Sequence, residues 1–166
     1  VLAKAFEPAL RALAEKYTVT AHISTFIGKD LVILNKISAG PFVYMSSRVG
    51  GTLPPYATAM GKCILAFSSE EFVTAYIGKE TFERFTQNTL SGPEELYAEL
   101  KNIRAKGYAV DDGEKHTGLY CIARPILNKG NRPIAAISVS GSREMVEPIR
   151  DDIADTMERL ISATIY

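Results

Sequence analysis

The stretch that decides the fold covers residues 107–141 and reads GYAVDDGEKHTGLYCIARPILNKGNRPIAAISVSG. It contains three β-type runs, at residues 108–110, 119–126 and 134–139, and two polar turns separate them. Short apolar runs divided by turns rich in Gly, Asn, Asp and Pro are typical of a strand meander. The second half of the chain is therefore predicted to hold three consecutive, paired strands.

Small polar side chains share one face of the last predicted strand. Successive side chains of a strand point to opposite faces, so Ala136, Ser138 and Ser140 lie together. Ile137 and Val139 lie on the other face. One face of this strand is therefore apolar, and the other is small and hydroxylated.

The neighbouring strands can add to this hydroxylated face. Leu119 and Cys121 share one face of the middle strand, and Asp111 closes the first strand. If the faces coincide, two hydroxyls, a thiol and a carboxylate line one apolar concavity, as expected for a small polar ligand. The same spacing also fits a solvated face for Ser138 and Ser140, with Cys121 in the core and Asp111 in a turn.

Composition indicates one soluble globular domain, covering residues 1–166, with 46% hydrophobic and 23% charged residues. Lys plus Arg equals Asp plus Glu at 19 each, and this balance is not typical of a chain that binds DNA or RNA by itself. No apolar run approaches the roughly 20 residues needed to cross a bilayer, so no membrane association is expected.

The cysteines indicate a reduced, cytoplasmic protein. Cys63 and Cys121 are the two cysteines, and they form no CxxC pattern. With His22 and His116 as the two histidines, no zinc-ligand spacing is present, so no metal is predicted. The chain has no glycine-rich phosphate loop of the nucleotide-binding types, and no cofactor is predicted.

The predicted element order places the sheet in two groups of strands. An amphipathic helix over residues 2–16 comes first, then strands over 17–27, 31–37 and 42–46. Three helices, the meander and a last helix from Pro148 follow. Strands grouped in this way favour an α+β fold with a mostly antiparallel sheet over alternating βαβ units.

The segment 48–55 contains two glycines and two prolines and is predicted to be irregular. It precedes an apolar helix over residues 56–67, with Thr58 in the first turn. The open N–H groups of such a helix start can bind a carboxylate or another anion. An ordinary capped helix start fits the same residues.

Four short motifs, in order along the chain, are similar to those of one protein family. Residues 53–62 (LPPYATAMGK) resemble LPLHATALGKALLA, and residues 103–111 (IRAKGYAVD) resemble iR..GyavD. Glu114, Gly118, residues 121–123 and Pro125 match E…G..CiAaPv, and residues 135–141 (AAISVSG) match AAlSvsGp. Essentially the whole chain thus resembles the effector-binding domain of IclR-type bacterial transcription regulators.

The resemblance implies a GAF-like (PAS-like) domain, with a six-stranded antiparallel sheet flanked by helices and a ligand pocket on one face. It also implies that the family's ligand-binding positions and apolar wall positions fall on residues of this chain. The implied binding residues are Ala59, Met60, Asp111, Leu119, Cys121, Ser138 and Ser140, with Met45 and Leu53 in the apolar wall.

The function implied by the resemblance is the sensing of a small carboxylate metabolite, such as a 2-oxo, sugar or aromatic acid. The regulator is expected to be a cytoplasmic homo-dimer or tetramer without enzymatic activity. It is expected to bind DNA only through an N-terminal winged helix-turn-helix that is missing from this chain. The acid is expected to meet the helix-tip N–H groups and the serine hydroxyls, and an ionised Asp111 suits a ligand hydroxyl.

Two other functions remain open at this point. One is a GAF-like thiol redox enzyme that uses Cys121 or Cys63, with His116 as a nearby base. The other is an oligomerisation module that binds no metabolite. The chain also departs from the family at two positions. Tyr56 replaces a usual His, and the bulky Met60 implies a narrower or differently shaped pocket.

Overall fold

The computed structural model describes residues 1–40 and 47–166. Within these ranges the strands form one sheet of six, and every neighbouring pair is antiparallel. The strands are β1 (Thr20–Ile27), β2 (Asp30–Ser38), β3 (Thr52–Leu53), β4 (Ala109–Asp112), β5 (Leu119–Leu127) and β6 (Pro133–Ser142). Their order across the sheet is β3-β2-β1-β6-β5-β4. The predicted meander is thus confirmed, and it joins the N-terminal strands where β6 pairs with β1.

Helices cover both faces of the sheet, as expected for the α+β, GAF-like architecture. They are α1 (Leu2–Tyr17), α2 (Ala59–Phe67), α3 (Glu70–Gly78), α4 (Pro93–Lys106), α5 (Arg143–Val146) and α6 (Arg150–Ala163), with short 3-10 helices at Pro55–Ala57 and Glu147–Ile149. Among the described residues, no helix combines the length and the apolar character that crossing a bilayer requires.

The sheet separates two hydrophobic cores, and the period of two along β6 explains this division. On one face, Ile137 and Val139 pack in a cluster with Phe6 of α1 and Met157 of α6. On the other face, Ala136 joins a cluster formed mainly by α2, α3 and α4. Ser138 and Ser140 follow Ala136 onto this second face, beneath α2.

Two local predictions for residues 48–67 need correction. The segment 48–55 is not wholly irregular, because Thr52 and Leu53 pair with Val32 and Leu31 as strand β3. The next helix begins at Ala59 rather than at Tyr56, since the prolines first form a 3-10 turn. The strand predicted at residues 42–46 lies outside the described residues.

Close packing at Gly61 fixes the start of α2. A Cβ atom at this position would lie 2.3 Å from the Pro55 carbonyl oxygen, far inside van der Waals contact. Only glycine therefore allows the helix to sit directly on the preceding 3-10 turn. This contact holds the N-terminus of α2 over the sheet.

Candidate effector-binding site

The strand register brings the predicted polar residues together on the face beneath α2. Asp111 of β4 pairs with Cys121 of β5, and Cys121 pairs with Ser140 of β6. In the adjacent row, Ser138 of β6 pairs with His22 of β1. The hydroxyls, the thiol and the carboxylate therefore share one surface, as the sequence pattern predicted.

The N-terminus of α2 faces this surface with two open donors. Thr58 is the N-cap residue, and its hydroxyl oxygen accepts a hydrogen bond from the Gly61 N–H at 3.3 Å. The first N–H groups of an α-helix have no intrahelical acceptor, so those of Ala59 and Met60 are left for another partner. The helix macrodipole also favours negative charge at this end.

A buried cavity lies between the α2 tip and the sheet. The volume that the centre of a water molecule can reach is about 20 Å³, which is room for about one water. Met60, whose bulk led us to expect a narrower or differently shaped pocket, lies in the lining of this cavity. The described lining residues are His22, Leu53, Thr58, Ala59, Met60, Asp111, Cys121, Ser138 and Ser140.

Most of the residues predicted to bind ligand lie in this lining. Leu119 is buried in the core on the same side of the sheet, but it is not among the lining residues. Met45 lies outside the described residues. The predicted residues that line the cavity are Leu53, Ala59, Met60, Asp111, Cys121, Ser138 and Ser140.

Two lining residues were not predicted from the sequence. His22 was considered only as a possible metal ligand, and Thr58 was placed in the first turn of a helix rather than at its cap. The alternation along β1 does put His22 opposite Ile23, but only the pairing with Ser138 shows that it reaches the cavity. The two prolines before Thr58 were the signal for its role as a cap.

The two serines differ in their hydrogen bonding. Ser140 Oγ donates to Cys121 Sγ at 3.1 Å. Ser138 is 2% exposed, and its Oγ has no hydrogen-bond partner among the described residues. A buried hydroxyl without a partner is unusual and costs free energy. The Ser138 hydroxyl is therefore the lining hydroxyl that is available to a further partner.

A buried ion cluster, formed by Lys62, Glu114 and Glu99, contacts Asp111 through the Glu114 N–H. Lys62 Nζ lies 2.8 Å from both carboxylate oxygens of Glu114 and 2.8 Å from Glu99 Oε2, and it donates to the Val110 carbonyl at 2.7 Å. The Glu114 N–H donates to Asp111 Oδ1 at 2.7 Å. Lys62 and Glu114 lie in the matched sequence motifs, but no sequence pattern predicted that they form an ion cluster. No pattern singled out Glu99.

Burial controls the ionisation of the titratable groups in the site. Burial, with the nearby Glu114 carboxylate, raises the pKa of Asp111 to about 7, although Lys62 acts in the opposite direction. Burial alone lowers the pKa of Lys62, but the carboxylates of Glu114, Glu99 and Asp111 outweigh it and raise the pKa. His22 Nε2 lies 2.8 Å from Ser47 Oγ, and burial followed by the charge of Lys36 lowers the pKa of His22 to about 3.

The thiols are not activated for nucleophilic chemistry. Burial is the main cause that raises the pKa of both Cys63 and Cys121, and the negative charge of Asp111 adds to it at Cys121. A reactive cysteine needs a lowered pKa and access to solvent. This environment is therefore that of structural cysteines.

Tyr56, one of the two departures from the family pattern, lies in the core and not in the cavity lining. Its hydroxyl donates to the Glu83 carbonyl at 2.6 Å, and its N–H donates to the Tyr76 hydroxyl at 3.2 Å. Its ring packs 4.8 Å from that of Phe82. The change at Tyr56 therefore affects the support of the 3-10 turn, while Met60 is the departure that shapes the cavity.

Comparison with known proteins agrees with the architecture and the motifs. Residues 1–163 match the family described as "Bacterial transcriptional regulator IclR C-terminal". Transcriptional repressor IclR of Escherichia coli (strain K12) is 35% identical over 147 residues, which cover 87% of this chain and 53% of that protein. The chain spans about half the length of the curated relatives it matches.

Solved structures share the fold. The crystal structure of the Thermotoga maritima IclR superposes with a TM-score of 0.91 and 30% identity, covering 97% of this chain and 66% of that one. An IclR homologue from Microbacterium hydrocarbonoxydans, complexed with 4-hydroxybenzoate, gives a TM-score of 0.84 at 24% identity, over 98% of this chain and 69% of that one. The chain thus belongs to the IclR family of bacterial transcriptional regulators and corresponds to its C-terminal domain.

Proposed function

We propose that residues 1–166 form an effector-binding domain whose cavity binds a small carboxylate metabolite and thereby changes DNA binding by the full-length regulator. One observation carries the proposal. The buried Ser138 hydroxyl, which has no partner among the described residues, and the open N–H groups of Ala59 and Met60 meet at one cavity. Donors converging on a buried space match the needs of an anionic oxygen.

In this proposal, each side of the bound acid meets a different part of the lining. The carboxylate accepts hydrogen bonds from the Ala59 and Met60 N–H groups and from the Ser138 hydroxyl. The Ser140 hydroxyl adds another once it turns away from Cys121 Sγ. Cys121 and Leu53 border the middle of the acid. Charge-assisted hydrogen bonds inside a partly dry cavity are stronger than those in water, and they supply much of the affinity.

The cavity must enlarge to accept the acid, because its present volume admits about one water. Met60 is the lining side chain best suited to move, since it is unbranched and has three rotatable bonds. Binding therefore requires a conformational change at the tip of α2. An effector acts on DNA binding only if it favours one arrangement of the protein over another, and such a change supplies that difference.

The 4-hydroxybenzoate complex of the Microbacterium homologue supports the idea that this fold can enclose a hydroxylated acid. At 24% identity this likeness concerns the fold alone, so the class of ligand in this chain rests on its own lining residues. DNA binding through a winged helix-turn-helix outside residues 1–166, a cytoplasmic location and assembly into a homo-dimer or tetramer are further parts of the proposal.

The experiment is a thermal-shift screen with 2-oxobutyrate, gluconate and 4-hydroxybenzoate as representatives of three classes of acid. An acid present at 100 times its Kd stabilises the folded state by roughly 2.7 kcal/mol, which raises the Tm of a domain of this size by about 5–10 °C. The double variant Ser138→Ala/Ser140→Ala is expected to lose most of this shift.

Two outcomes contradict the proposal. The first is that no acid of the three classes raises Tm at saturating concentration, as a pure oligomerisation module predicts. The second is that the double serine variant keeps the full affinity for an acid that binds. The matching amides, such as 4-hydroxybenzamide, serve as ligand controls, because they lack the negative charge that the helix tip and the hydroxyls select.

A further inference from the structure

Among the described residues, Lys62 is the cation of the ion cluster, and it has no donor left for a ligand. Lys62 is fully buried, and an ammonium group has three N–H donors. Its acceptors are Glu99, the Val110 carbonyl and Glu114. Two carboxylates already share its single positive charge. Lys62 therefore stabilises the cluster but cannot neutralise a bound acid as well.

The other groups that face Asp111 add no positive charge to the cavity. Glu114 follows it in the next turn, and Cys121 faces it from β5. On its own strand, Asp112 pairs with Arg143 at 3.1 Å near the surface. From β1, the buried His22 has a pKa lowered to about 3 and is neutral at pH 7. None of the described lining residues is a cation at neutral pH.

We propose that the cavity binds the acid together with one proton from solvent, which Asp111 holds for as long as the acid is bound. This inference rests on the proposed function above. Two carboxylates confined to one small buried space cannot both stay ionised, because their repulsion is poorly screened there. Protonation removes this repulsion and turns Asp111 from an acceptor into an O–H donor toward the ligand.

The empty site already lies close to this protonated state. Burial and the Glu114 carboxylate raise the pKa of Asp111 to about 7, and a second anion in the same cavity raises it further. Above pH 7 the empty site has mostly lost the proton, so binding must take one up. The affinity for the acid then falls as pH rises, by at most tenfold per pH unit. The site also favours monocarboxylic acids over dicarboxylic acids, whose second charge has no counterion.

Titration calorimetry of the whole chain tests this inference with 4-hydroxybenzoate, 2-oxobutyrate or gluconate, whichever raises Tm in the screen. Measurements at pH 8 in HEPES and in Tris, which differ in ionisation enthalpy, give the number of protons taken up. We expect close to one proton per acid bound, and a Kd that rises roughly tenfold between pH 7.5 and 8.5.

Two variants make the test specific. Asp111→Asn keeps an acceptor for the Glu114 N–H, and it is expected to bind the acid with no proton uptake and a Kd independent of pH. Asp112→Asn makes the same chemical change one residue away, on a partly exposed carboxylate, and should behave as wild type. If Asp111→Asn does not fold, the number of protons that the wild type takes up tests the inference by itself. A value near one supports the inference, and a value near zero overturns it.

The outcomes separate this inference from the proposed function. Binding of the acid without proton uptake at pH 8 overturns the inference and leaves the effector site standing. Proton uptake that persists in Asp111→Asn also overturns it, since another group then holds the proton. If none of the three acids of the screen binds between pH 5 and 8.5, both the inference and the proposed function are wrong.

Discussion

Replacing Ser138 with alanine should separate the stability of the domain from its binding function. In the empty cavity the Ser138 hydroxyl is buried and has no partner among the described residues. Removing it abolishes a desolvation cost without breaking a hydrogen bond. We expect Ser138→Ala to be as stable as wild type or more stable by up to about 1 kcal/mol. For a domain of this size, that gain corresponds to a Tm increase of roughly 2–4 °C.

The same change should weaken binding of the acid. A hydrogen bond to a charged group contributes about 1.5–3 kcal/mol, so its loss raises Kd by roughly 10- to 150-fold. Scanning fluorimetry without ligand measures the first effect, and titration calorimetry with the acid measures the second. Opposite signs of the two effects are the expected result.

Ser24→Ala is the matched control. Ser24 is also fully buried, its hydroxyl also has no partner among the described residues, and it lies beside Ala136 outside the cavity lining. It should gain stability to a similar degree and bind the acid as wild type does. The reasoning is refuted if Ser138→Ala lowers Tm by several degrees, or if both variants bind the acid equally well.

Three further experiments test the environment of the site. Because burial lowers the pKa of His22 to about 3, the unfolded chain gains a proton first, and stability should fall as pH drops from 6.5 toward 3, by at most about 1.4 kcal/mol per pH unit. Urea unfolding at pH 7, 5.5 and 4.5 should show that His22→Gln loses less unfolding free energy than wild type as pH drops. If both proteins lose the same amount, His22 is not the cause of the pH dependence. Met60→Ala should lower the free energy of unfolding by about 2–5 kcal/mol. The variant should also bind bulkier aromatic acids, as measured by calorimetry. An unchanged preference for ligand size would show that Met60 does not limit the cavity. Cys63 and Cys121 should resist a thiol reagent at pH 8 until urea unfolds the chain, so rapid labelling of the native protein would contradict their burial.

The strands and the shared face could be predicted because they depend on local patterns. The alternation of Ile137 and Val139 with Ser138 and Ser140 assigns the two faces of β6 without knowledge of the rest of the chain. Placing Cys121 beside Ser140 required only a regular antiparallel pairing between neighbouring strands. The α+β class followed from the grouping of these elements.

The parts of the site that could not be predicted depend on contacts between distant segments. His22 reaches the cavity only because β1 pairs with β6, and nothing within β1 specifies that neighbour. Lys62 reads as an ordinary helix residue until α2 is packed against Glu99 of α4 and Glu114 of the turn after β4. The short strand β3 exists because residues 52–53 complete the edge of β2, although the glycines and prolines around it indicate a loop.

The pairing of β1 with β6 also has a consequence for biogenesis. The cavity lining combines His22 of β1 with Ser138 of β6, which are distant in sequence, so the lining is complete only after β6 has paired with β1. Pairings between such distant segments slow folding, and a chain in which β6 has not yet paired with β1 cannot bind the proposed acid. We therefore expect the proposed acid to stabilise the finished domain against proteolysis, but not to guide the early steps of its folding.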